Sequence, residues 1–203
     1  MYPLTTPYDE IAEEYDELLR GERSVQLVET IKTARILLWK ANPATRLIDL
    51  GCGPALISAA VKVDGWEVTG VDASPAMIEI ASRRVTKTLH TSATATGLPD
   101  ASFPVAMSTW THGDIPWPEL VREVERILEP NGFFVYVGPN PDLDPHTVSG
   151  RAFRTKMGSK DLTLGEIYEP FSHLRWRIAT RVYNKAAGQI WPVFGFRAER
   201  IEG

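Results

Sequence analysis

Two glycines one residue apart, Gly51 and Gly53, with Asp72 nineteen residues beyond the second, are the residues of this chain whose types and spacing point most directly to chemistry. Glycine lets backbone N–H groups approach a ligand closely, and an acid at that interval can accept two hydrogen bonds from a ribose diol. The combination implies a nucleoside ligand, with Cys52 inside the turn. A dinucleotide site wants a third glycine three residues on, for close helix packing and access to a pyrophosphate. Leu56 stands there and no phosphate-gripping lysine follows, so a nucleoside without phosphates fits better than a nicotinamide cofactor of an oxidoreductase. Further along, Trp110-Thr-His-Gly-Asp114 offers His112 for proton transfer or orientation, with Asp114 as its partner. A histidine that only hydrogen-bonds within its loop is the alternative. His146 is a second candidate, whereas His90 and His173 read as structural.

Such residues need strand ends gathered at one edge of a sheet, and the apolar periodicity supplies them. Residues 9–19 and 22–40 carry apolar side chains at helical spacing, the first helix ending at Gly21 and the second before Asn42-Pro43. Residues 46–51 read as a strand covered on both faces, running through the glycine turn into a helix over 56–61. A second strand, 66–72, ends in Asp72, and Ser74 caps the following helix with Pro75 at its first position. Thr88–Ala95 and Phe103–Ser108 are further strands, the latter delayed by Pro104; Trp117-Pro118 opens a helix, 129–132 is a turn, and Phe133–Gly138 is a strand. A helix over 181–190 and a strand over 196–201 complete the reading. Strands alternating with helices predict an α/β, doubly wound, mostly parallel sheet.

Length and composition agree with one soluble domain spanning 1–203: 43% hydrophobic and 24% charged residues exclude collagen, disorder and coiled coil. A single cysteine cannot form an internal disulfide or a zinc cage, so no metal is expected. The N-terminus has no basic leader and no apolar run is long enough to span a bilayer, which reads as cytoplasmic, with no membrane partner. Residues 1–150 hold 12 basic against 21 acidic side chains, and 151–203 hold 10 against 5. The acidic body argues against nucleic acid, while the basic tail leaves room for an anionic substrate.

With these elements in place the sequence resembles the class I S-adenosylmethionine-dependent methyltransferases, in particular the small-molecule group of the ubiquinone and menaquinone enzymes. Leu47-Ile-Asp-Leu-Gly-Cys-Gly-Pro54 is similar to that family's first motif, Val71-Asp-Ala-Ser-Pro-Ala-Met77 to its second, Leu98-Pro-Asp-Ala-Ser-Phe103 to its third and Ile127-Leu-Glu-Pro-Asn-Gly132 to its post-core motif. The resemblance covers roughly 45–138 and implies a cofactor-binding core there, a helical lid over 1–40 and an acceptor side over 139–203. It places Asp49, Gly51 and Gly53 against the methionine half of S-adenosylmethionine, Asp72 on the ribose, Ala73 and Met77 beside the adenine, and Thr94 and Ala95 at the adenine edge. Ser108, Thr109 and Trp110 would border the sulfonium, and Tyr8 and Tyr15 either close the lid or pack on the sheet.

The implied activity is methyl transfer by direct displacement to a small-molecule acceptor, releasing S-adenosylhomocysteine, by a monomer or homodimer. The alternative is a protein that keeps fold and cofactor but does non-methylating chemistry or serves as a binding module. Three departures motivate it: Ala55 where a glycine is commoner, Thr94 in place of an acid, and Pro104 in place of an acid. If residues 196–201 form the sixth strand, only Glu202 and Gly203 follow, so a seventh is either missing or supplied by a segment assigned otherwise above. Eight aromatics after residue 150 (Phe153, Tyr168, Phe171, Trp176, Tyr183, Trp191, Phe194, Phe196), interleaved with Arg175, Arg177 and Arg181, would roof a pocket for an aromatic or anionic acceptor, or else fill the core.

Overall fold

The computed structural model describes residues 6–39, 45–139, 162–172, 176–184 and 193–201. A 3-10 turn, Pro7–Ile11, and helices α1 (Ala12–Arg20) and α2 (Ser24–Leu38) precede the sheet. Then follow β1 (Arg46–Leu50), α3 (Leu56–Val63), β2 (Glu67–Asp72), α4 (Pro75–Ser82), β3 (Lys87–His90), β4 (Phe103–Thr109), α5 (Trp117–Ile127) and β5 (Leu128–Pro139). A short helix, Leu164–Tyr168, leads to β6 (Trp176–Asn184) and β7 (Val193–Arg200). The seven strands lie in the order β3-β2-β1-β4-β5-β7-β6, the first five parallel and β7 antiparallel to both of its neighbours.

Alternate residues of the central strands feed two apolar cores. Ile48, Leu50, Phe134, Tyr136, Phe194 and Phe196 face α5 and the Leu164–Phe171 segment, while Leu47, Val105, Val135 and Val137 face α2, α3 and α4. That period-two division, with helices on both faces, is what makes the sheet doubly wound. No helix among the described residues is long and apolar enough to cross a membrane.

The C-terminal part departs from the sequence reading. Residues 181–184, expected to begin a helix, end strand β6; the rest of that expected helix, 185–190, lies outside the described residues. A register shift between Ile178 and Thr180 explains the misreading. Ile178 packs with the α5-side core and Val182 with the opposite one, so the bulge moves the apolar side chains from one face to the other and erases the alternation that marks a strand. The strand expected over 196–201 is β7, and the sheet has its seventh strand after all.

Smaller differences have equally local causes. β3 stops at His90, and Ser92 and Ala95 form an isolated bridge instead of prolonging it. β4 begins at Phe103, and the N–H missing at Pro104 falls where its register with β5 breaks. The expected turn at 129–132 is a bulge within β5: Leu128 pairs with Phe103 and Phe133 with Val105, leaving Asn131 at φ +62°.

Candidate active site

The carboxyl ends of β1, β2 and β4 open onto a cavity of about 320 Å³, closed from the other side by the N-terminal segment. At the end of β1 the chain turns through Gly51 (φ +75°) and Gly53 (φ +51°), conformations that side chains strain to adopt. The Gly51 and Cys52 amides donate to the Val71 carbonyl at 2.8 and 2.9 Å, tying the turn to β2. Asp72 closes β2 and accepts from Gly53 N at 2.8 Å through Oδ2 and from Ser74 N at 2.9 Å through Oδ1. One carboxylate thus organises two loops and keeps lone pairs for a ligand. Burial, which its backbone hydrogen bonds only partly offset, raises its pKa.

Asp49 lies behind the turn, 1% exposed, and is not part of the cavity wall. Its Oδ2 accepts from Ser58 at 2.5 Å, while Oδ1 is a buried acceptor with no hydrogen-bond partner among the described residues. Burial, opposed by Ser58 and reinforced by the charge of Asp72, pushes its pKa up to about 7. The unfolded carboxyl titrates near ~3.9. The folded state therefore holds the extra proton, and this group's contribution to stability falls as pH rises from about 4 to about 7 and is constant above. Asp49→Asn removes that slope: in urea unfolding, the stability of the variant relative to wild type is expected to rise between pH 5 and 7, by at most about 1.4 kcal/mol per pH unit.

Three polar attachments hold the N-terminal segment over the cavity. Asp9 Oδ1 accepts from Ser74 Oγ at 2.5 Å, the Tyr8 hydroxyl donates to Asp114 Oδ2 at 3.2 Å, and Asp16 receives Arg84 at 2.5 and 2.8 Å. Arg84 also donates to the Pro54 carbonyl at 2.7 Å, so α1 is fastened to α4 and to the glycine turn together. Burial opposes ionisation of Asp16, but the hydrogen bonds and charges of Arg84 and Arg20 outweigh it and hold its pKa below the usual range. Asp16→Ala is expected to destabilise the protein by about 1–3 kcal/mol at neutral pH, a difference that begins to shrink as pH falls below about 4 and is lost as pH passes through the lowered folded-state value. Urea unfolding at pH 7 and pH 3 checks it.

The cavity brings together most of the residues expected there. Tyr8, Tyr15, Gly51, Cys52, Gly53, Asp72, Ala73, Met77, Thr94, Thr109, Trp110 and Asp114 all lie on its wall. Thr94 sits in a loop anchored by α5, where Glu123 accepts from Thr96 N at 2.8 Å and pairs with Arg126 at 2.7 Å. Ala95 is exposed and Ala93 lines the cavity instead, because the chain turns between Ser92 and Ala95. Ser108 is fully buried and off the wall, its Oγ donating to the Leu50 carbonyl at 2.6 Å.

His112 is likewise off the wall: its Nδ1 contacts the Tyr136 hydroxyl on β5. Burial raises that hydroxyl well above its ordinary pKa, so it keeps its proton.

The wall also contains residues the sequence did not single out. Thr111 belongs to the same loop as Trp110, and Leu19 and Leu27 come from the apolar stripes of α1 and α2, which were legible as helix faces but not as cavity lining. Of the proposed aromatic roof, Phe171, Trp176, Phe194 and Phe196 fill the α5-side core, where Phe171 stacks on Phe134 at 5.8 Å between ring centres. Arg181 covers Tyr168 at 4.7 Å, and Arg177 pairs with Glu199. Tyr183 lies on β6; Phe153, Trp191, Arg175, His146 and His173 lie outside the described residues.

Comparison with known proteins agrees with this architecture. Residues 48–136 match the family model for a methyltransferase domain. The malonyl-[acyl-carrier protein] O-methyltransferase of Enterobacter lignolyticus is 30% identical over 100 residues, 47% of this chain and 39% of that protein. The demethylmenaquinone methyltransferase of Symbiobacterium thermophilum is 29% identical over 140 residues, 63% of this chain and 55% of that protein. The matches thus span roughly two fifths to just over half the length of these curated relatives. Among solved structures, geranyl diphosphate C-methyltransferase from Streptomyces coelicolor, in complex with Mg2+, geranyl diphosphate and S-adenosyl-L-homocysteine, superposes with a TM-score of 0.70 at 15% identity, covering 86% of this chain and 77% of that one. Residues 48–136 are thus similar to a methyltransferase domain, and the chain has the fold of the S-adenosyl-L-homocysteine-bound geranyl diphosphate C-methyltransferase.

Proposed function

We propose that the protein is an S-adenosylmethionine-dependent methyltransferase that acts on a small molecule. The observation that carries this reading is Asp72, a carboxylate held between the Gly53 and Ser74 amides on the wall of a nucleoside-sized cavity at the strand ends. The cavity also fits the cofactor in other respects. The space beside Gly53 is open, with nothing within 4 Å of where a Cβ would stand. The curated relatives are named for demethylmenaquinone and for malonyl-acyl-carrier protein, which supports a metabolite as acceptor.

S-adenosylmethionine, when bound, supplies an electrophilic methyl group that an acceptor lone pair displaces from sulfur, leaving S-adenosylhomocysteine. The protein's contribution is alignment and exclusion of water. In this reading Asp72 receives the ribose, Ala73 and Met77 flank the adenine, Thr94 meets its edge, and the lid carrying Tyr8 and Tyr15 closes over the ligand. Asp114, on the wall beneath Tyr8, orders the acceptor side. His112 acts from behind the wall as an orienting group, since Tyr136 occupies its Nδ1.

Calorimetric titration with S-adenosylmethionine, S-adenosylhomocysteine and an NADH control tests the reading. Micromolar binding of the first two alone is expected, followed by S-adenosylhomocysteine production with an acceptor from a metabolite panel. Folded protein that binds neither overturns it, and binding with no turnover across the panel favours the non-methylating alternative.

A further inference from the structure

Trp110 is the one bulky residue of the cavity wall with a left-handed backbone, at φ +61°. A large side chain is an outlier there, and strain of about 1–3 kcal/mol persists only where the surroundings enforce it. Here they do so from two directions. The Trp110 amide donates to the Val137 carbonyl at 2.9 Å, and the indole Nε1 donates to Thr30 Oγ1 at 2.9 Å. Thr30 is fully buried in α2 and gives its own hydroxyl proton to the Gln26 carbonyl at 2.8 Å, so its oxygen is committed to accepting. A helix eighty residues upstream thus sets where an indole stands at the end of β4.

At that place the wall also contains Gly51, Thr109 and Thr111, none of which carries charge. An indole ring is negative on its face, and a cation within about 6 Å of it is favoured by roughly 0.5–2 kcal/mol. The two forms of the cofactor differ in charge only around the sulfur, a sulfonium before transfer and a neutral thioether after. Resting on the methyltransferase reading above, we propose that Trp110, positioned by Thr30, is the residue by which the site prefers the charged cofactor over its neutral product. Asp72 and Asp114, on the same wall, also favour positive charge, and both are retained in every variant below. Product release is then assisted by the reaction itself, because the group the indole attracts disappears with the methyl.

Dissociation constants of S-adenosylmethionine, sinefungin (which carries an ammonium in place of the methylated sulfur) and S-adenosylhomocysteine, measured by calorimetry on wild type, Trp110→Leu, Trp110→Phe and Thr30→Val, test the proposal without any acceptor. Trp110→Leu should weaken the two cations about 2- to 30-fold while leaving S-adenosylhomocysteine within about twofold. Trp110→Phe should retain most of the preference, and Thr30→Val should lose part of it, with the same sign for both cations. Equal weakening of all three ligands in Trp110→Leu, or no change, overturns the proposal. Should that variant not fold, an unchanged ratio of cation to product affinity in Thr30→Val does so. A wild-type protein that binds none of the ligands overturns the methyltransferase reading itself, and this proposal with it.

Discussion

Asp72→Ala is expected to lower the affinity for S-adenosylmethionine by at least about 100-fold while the protein remains folded. Two hydrogen bonds from a ribose diol to a carboxylate are each worth about 1.5–3 kcal/mol, and every 1.4 kcal/mol is a factor of ten in affinity. The substitution also releases the Gly53 and Ser74 amides, which lie 2.8 and 2.9 Å from the carboxylate and hold the two loops in register. The Gly53 amide lies at the cavity, where water can replace the lost acceptor, whereas Ser74 is fully buried and its amide is left without one, so the cost to the fold should be about 1–3 kcal/mol. Asp72→Asn should bind almost as poorly, because its NH2 group meets one of the two N–H donors. A Kd from calorimetry together with a urea midpoint separates the effects. Retention of affinity within about threefold in Asp72→Ala would contradict the assignment of this residue to the ribose.

The glycine turn should give the opposite division of effects. At Gly51 a Cβ would stand 2.6 Å from Thr111 Cγ2 and 2.9 Å from Ile115 Cδ1, in a backbone of φ +75°. A left-handed residue costs about 1–2 kcal/mol and a forced core contact about 1–3 kcal/mol. Gly51→Ala should therefore destabilise by about 2–5 kcal/mol, a large part of a total stability on the order of 5–15 kcal/mol. At Gly53 a Cβ would meet nothing within 4 Å, so Gly53→Ala should cost only the backbone term, about 1–2 kcal/mol, and instead narrow the cavity it lines. Urea unfolding and cofactor titration on the two variants are the measurements. The fold should suffer more in Gly51→Ala, and binding more, relative to stability, in Gly53→Ala.

Local pattern carried most of the core. The β-α-β-α run from Arg46 to Ser82 was legible because β1 is apolar apart from Asp49, β2 ends in an acid, and each helix starts at a recognisable turn or cap, as at Ser74, whose Oγ accepts from Met77 N at 3.1 Å. β6 was not legible, since its bulge hands the apolar side chains from one face to the other and no period survives. Ala55 shows how far a single substitution can be read: the sequence marks an alanine where a glycine is commoner, and the chain does adopt φ +59° there, an alanine in glycine's conformation.

What the sequence by itself determined is the parallel core, the order of its elements, and the presence of a glycine turn and an acid at the ends of β1 and β2, because hydrophobic period and turn chemistry act over a few neighbouring residues. What only the tertiary structure decided is which side chains share a surface. Asp16 reaches Arg84 across 68 residues, Thr30 reaches Trp110 across 80, and Tyr136 takes the Nδ1 of His112 from the adjacent strand. Such pairs form because α2 packs on the sheet, α1 packs on α2, and β5 lies beside β4 in the sheet, and the spacing of residues along the chain contains no term for that approach.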